Sequence, residues 1–187
     1  YQATLEPKTE KAIKLEKEAL AQIKETTKKN AHLVSNLHSN LGGLYRINGQ
    51  LNLAKKHMEM GISLLEQYQL LYTNDSIPQI NNYAVLLIEI QEPDLALSAL
   101  QKLAQIIKEY NSNHCLDYAQ VQESLGSICL ITANISQAKT HFKKALKIYE
   151  DIWADEPELI EEKYQAIQEL YPQAGIALAK SILPTKH

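Results

Sequence analysis

One interval governs this sequence: the same residue types return every 42 positions. Asn40-Leu41-Gly42-Gly43-Leu44-Tyr45 aligns without gaps on Asn82-Tyr83-Ala84-Val85-Leu86-Leu87 and on Ser124-Leu125-Gly126-Ser127-Ile128-Cys129. The interval also carries Ala54 onto Ala96 and Ala138, Met58 onto Leu100 and Phe142, and Gly61 onto Leu103 and Ala145. Small residues at Gly42, Ala84, Gly126, Ala54, Ala96 and Ala138 let two helix backbones approach, and the bulkier Tyr45, Leu87, Met58, Leu100 and Phe142 fill the space between them. An all-α chain of antiparallel helix pairs is expected, with no strands.

Composition removes several function classes. The chain has 187 residues, a formal net charge of −3 and a sequence pI near 6.1. Nothing there supplies the cationic surface that a nucleic-acid partner needs. Cys115 and Cys129 are too few for a disulfide framework and lack zinc-site spacing, which fits a reducing, cytoplasmic setting. No apolar run reaches the roughly 18 residues of a membrane span, so no membrane partner is expected. The chain opens at Tyr1 without a Met, as a piece of a longer protein would.

The columns L-G-x2-Y on a first helix and A-x3-F on a second resemble the tetratricopeptide repeat (TPR) family, in the 42-residue form of kinesin light chains and related bacterial proteins. The resemblance covers residues 31–154. It implies a right-handed TPR solenoid in which each hairpin buries its apolar stripe against the next. His38, Ile80 and Gln122 stand where the family has an aromatic residue, and Glu66, Lys108 and Glu150 stand where a proline closes the second helix. Without that proline the second helix can run on. The reading is a single array over 1–187: a second helix of a truncated repeat at 10–29, repeats at 31–72, 73–114 and 115–156, and degenerate capping helices at 157–187. Turns are expected at Asn48-Gly49-Gln50, Gln91-Glu92-Pro93 and Ala133-Asn134, with linkers at 72–76 and 111–114.

Catalytic signatures are missing: there is no phosphate-binding glycine loop, HExxH or GxSxG. The expectation is a non-enzyme without metal or cofactor. His57 and His141 share one repeat position two periods apart, too far for joint metal ligation, and are expected to face solvent. Cys129 replaces the tyrosine of the pattern and reads as core. The Lys/Glu-rich stretch 8–29 reads as a solvated helix face, because interleaved glutamates argue against a membrane-surface stripe.

In the family, the first helix of each repeat lines a concave groove, and the residue before the conserved Leu points into it. That column reads Asn40, Asn82, Ser124. An Asn amide offers donor and acceptor together, so the resemblance implies capture of an extended peptide by its backbone. Neighbouring columns add Asn81 and Glu123, then Gly43, Val85 and Ser127, then Arg46 and Ile88, then Ile47 and Glu89. Arg46 is the only arginine; it either meets a ligand carboxylate or phosphate or pairs with Glu89. The groove lacks the cluster of Lys and Arg that TPR clamps for acidic tails carry, so a largely neutral or apolar protein segment is the expected partner. The alternatives are a peptide-sensing domain of a larger bacterial regulator and an architectural array that oligomerises through its open ends.

Overall fold

The computed structural model describes residues 7–71, 76–110 and 115–173, and every regular element among them is an α-helix. They form two compact units, residues 1–92 and 93–187. The first contains α1 (Pro7–Gln22), α2 (Ala31–Ile47), α3 (Leu51–Gln67) and α4 (Ser76–Glu89). The second contains α5 (Pro93–Tyr110), α6 (Leu116–Ile131), α7 (Ile135–Ile152) and α8 (Pro157–Gln173). No helix among the described residues is long and apolar enough to cross a membrane.

In the first unit α2 and α3 make a hairpin around the small residues read from the sequence. A Cβ on Gly42 would lie 2.5 Å from Met58 Cγ and 3.2 Å from the Ala54 carbonyl oxygen, and one on Gly61 would lie 3.0 Å from the Ser35 carbonyl oxygen. The glycines are therefore the contact itself. Ile13 of α1 and Leu86 of α4 close over Leu41, Tyr45, Ala54 and Met58 to complete this core. The second unit repeats the device: a Cβ on Gly126 would meet the Phe142 ring at 2.6 Å. There Cys129, Leu130, Ala138, Phe142 and Leu146 pack with Tyr164 and Ile167 of α8.

Three turns use one geometry. Gly49, Gln91 and Ala133 occupy equivalent positions and all take positive φ, 69°, 63° and 59°. In each, that residue's N–H bonds back to the carbonyl three residues earlier, to Arg46, Ile88 and Leu130 respectively. The next N–H reaches five back, from Gln50 to Tyr45, Glu92 to Leu87 and Asn134 to Cys129. This is a Schellman closure, which satisfies the last carbonyls of the helix.

α1 departs from the expected span, stopping at Gln22 rather than Lys29. The Asn30 side chain accepts from the Thr27 N–H at 2.7 Å and donates to the Glu25 carbonyl at 2.9 Å, while Tyr68 of α3's end donates to the Thr26 carbonyl at 2.7 Å. These bonds take backbone groups that a longer helix would use. Pro157 opens α8, as proline suits a first turn. The expected linker residues 72–75 and 111–114, with His114, and the last part of the expected cap, 174–187, lie outside the described residues.

Candidate functional site

α2 buries Ala31, Val34, Ser35, His38, Leu41, Gly42 and Tyr45. At spacings of three and four residues this leaves a second stripe, Leu33, Asn36, Asn40, Gly43 and Ile47, on the opposite side. Ile47 is 75% exposed and Leu33 55%. A Cβ on Gly43 would meet nothing within 4 Å, so this glycine leaves open main chain rather than a packed joint. α4 adds a parallel stripe: Pro78, Asn82 and Glu89 are exposed, and Val85 is 43% exposed.

Two polar ties join the stripes. Arg46 Nε donates to both carboxylate oxygens of Glu89, at 2.9 and 3.0 Å, and Gln79 Nε2 donates to Asn36 Oδ1 at 2.7 Å. Of the two roles open to Arg46, the structure shows the pairing with Glu89. The result is a face of exposed aliphatic side chains and amides with its one cation neutralised internally. Asn82 is exposed; Asn40 is exposed too, but its Nδ2 donates to Glu16 Oε1 of α1 at 3.0 Å. Asn81 is half-buried, with its Oδ1 buried and unpaired among the described residues, and Ile88 is half-buried.

In the second unit Glu123, Ser124 and Ser127 are half-buried on α6. Glu123 is structural: its Oε2 accepts from Tyr149 Oη at 2.8 Å and from Lys163 Nζ at 2.9 Å, tying α6 to α7 and α8. Burial, with the Glu123 charge added, pushes the Tyr149 hydroxyl far above its ordinary range, so it stays a donor. Ser127 Oγ donates to the Glu123 carbonyl at 3.1 Å. Ile131, one turn on, is exposed.

The sequence reading missed Leu33, Asn36 and Pro78; helical spacing back from Asn40 and Asn82 could have found them. It also misplaced His57 and His141, which turn into their own hairpins instead of facing solvent. His57 Nδ1 lies 2.9 Å from His38 Nδ1, and His141 Nδ1 lies 2.8 Å from Gln122 Oε1. Both pairs are 19 residues apart. They occupy the same two columns, which in the middle period read Ile80 and Ala99. The columns change together, polar with polar and apolar with apolar, and that was the available signal. Among the described residues, no group of three or more His, Cys, Asp or Glu could hold a metal ion.

Residues 76–151 match the family model described as tetratricopeptide repeat. No curated protein matches the chain. Among solved structures it is similar to BtubC (BKLC) from P. vanneervenii, with a TM-score of 0.76 and 18% identity over 90% of this chain and 67% of that one. That likeness shows the fold.

Proposed function

We propose, from the premise that residues 76–151 of this chain are tetratricopeptide repeats on the matching helical-repeat fold, that it is a non-catalytic adaptor binding an extended, largely uncharged segment of another protein on the α2/α4 face. Repeats of this family generally mediate protein–protein interaction and are typically non-catalytic. The observation that carries the finer reading is the pair of tied stripes, with Leu33, Ile47 and Val85 exposed beside the amides of Asn36, Asn40 and Asn82. Apolar contact supplies affinity, and an amide that both donates and accepts can hold a backbone irrespective of its side chains. Asn82 is the strongest candidate for that role. Asn40 can take part by giving up its bond to Glu16. Within the second unit, Ser124, Ser127 and Ile131 of α6 are proposed as a patch of similar character, whereas Glu123 ties α6 to α7 and α8.

The test is selection of binders from a random peptide library on the purified chain, followed by titration of the enriched peptides. Asn82→Ala and Val85→Glu should each weaken binding about tenfold or more, a change of ~1.4 kcal/mol, with an unchanged melting temperature. Equal affinity for wild type and both variants would remove the reading.

A further inference from the structure

His38 and His57 face each other across the α2/α3 hairpin. His38 is only 7% exposed and His57 is half-buried. Their Nδ1 atoms are 2.9 Å apart and their ring centroids 5.1 Å apart, which puts both nitrogens close to the line of centres. Lone pair and N–H are therefore aimed at each other. In the neutral pair one ring carries its proton on Nδ1 and the other on Nε2. One extra proton leaves the bond intact. Two extra protons place hydrogens on both facing nitrogens, and the contact turns repulsive.

The surroundings offer the charged pair little relief. Tyr45 of α2 stacks on His57 at 5.3 Å, and Lys17 of α1 lies over the Tyr45 ring, 5.5 Å from its centre. Lys56 adds a cation from α3. Glu59, also on α3, lines a cavity of about 480 Å³ with His38 and Lys56, but its carboxylate accepts from Tyr83 of α4 at 2.8 Å and lies 4.0 Å from Lys55. The segment between α1 and α2 contributes the neutral Thr26 to that cavity.

We propose that the His38–His57 pair is an acid-sensitive latch, closing the α2/α3 hairpin near neutral pH and releasing it once both rings are protonated. Release would disturb the α2 stripe, and this last step alone rests on the function proposed above. Burial lowers the proton affinity of both rings, and His38, Lys17 and Lys56 lower that of His57 further. As pH falls below the ordinary histidine value of 6.5, the unfolded chain takes up protons that the folded pair refuses, so stability is lost toward acid and flat above. The third period carries the same bond with one titrating ring, Gln122 to His141. His38→Gln copies that arrangement.

The experiment uses the full chain without peptide. Imidazole Cε1–H signals, assigned with His38→Gln and His57→Gln, are followed by NMR through a pH titration. Urea midpoints of wild type and His38→Gln are compared at about pH 7.5 and about pH 5. The expected result is coupled titration of the two rings below the ordinary range, with a midpoint loss in wild type roughly half again as large as in His38→Gln, since His141 contributes to both. Independent titration at the ordinary histidine value, or equal midpoint losses, would overturn the latch. Should His38→Gln fail to fold, coupled or independent titration in wild type decides alone. No peptide enters this test, so its failure leaves the binding face untouched, and failure of the peptide titration leaves the latch untouched.

Discussion

Gly42 and Gly43 adjoin in the chain, yet a methyl group added to each meets opposite surroundings. At Gly42 it would collide with Met58 and crowd the Ala54 carbonyl; at Gly43 it would enter open space. Gly42→Ala is therefore expected to destabilise the fold by roughly 1–3 kcal/mol through overpacking. Gly43→Ala should stabilise it by about 1 kcal/mol, because alanine is the better helix former and nothing opposes its side chain. Urea unfolding of the two single variants checks both signs. Equal effects would mean that α2 is not oriented as described. The sequence carried the first of these roles, since Gly42 recurs as Ala84 and Gly126, but a glycine's own column cannot say whether the neighbouring one faces solvent or core.

Helix ends follow the repeat more closely than helix surfaces do. The left-handed residue recurs at Gly49, Gln91 and Ala133, with a further one at Gln69 after α3, and among the four only Gly49 is a glycine. A side chain in that conformation costs roughly 1–2 kcal/mol, so Ala133→Gly and Gln91→Gly are each expected to raise the unfolding free energy by about 1 kcal/mol, less the entropy that glycine adds to the unfolded chain. Thermal melts of the two variants measure it. On α6, Glu123→Ala strips the partner from the Tyr149 hydroxyl and from Lys163. A loss of roughly 1–3 kcal/mol is expected, read by the same melts. The turn positions were legible as punctuation. The early end of α1 was not, because it depends on Asn30 bonding back to Thr27 and on Tyr68 arriving from elsewhere in the chain.

Among the described residues, His38, His57 and His141 have proton affinities lowered chiefly by burial. All three act in one direction: stability should be level above about pH 7 and fall progressively below 6.5, as the unfolded state binds the protons. His141→Gln should flatten part of that slope, measured as urea midpoint against pH. The hairpin plan and its small-residue joints could be read from a 42-residue interval, because packing repeats with the backbone. The candidate site was legible in outline only. Asn82 and Val85 are exposed, but partners chosen in three dimensions decide that Glu123 is spent on Tyr149 and Lys163, and Asn40 on Glu16. Arg46 and Glu89 show what such prior engagement does. Their side chains are 34% and 38% exposed, so the bond contributes little to folding. An acidic visitor nevertheless gains almost nothing at this guanidinium, since it can only exchange one carboxylate for another already in place. On the proposed binding face, discrimination against acidic guests would thus come from a contact that the fold itself scarcely needs.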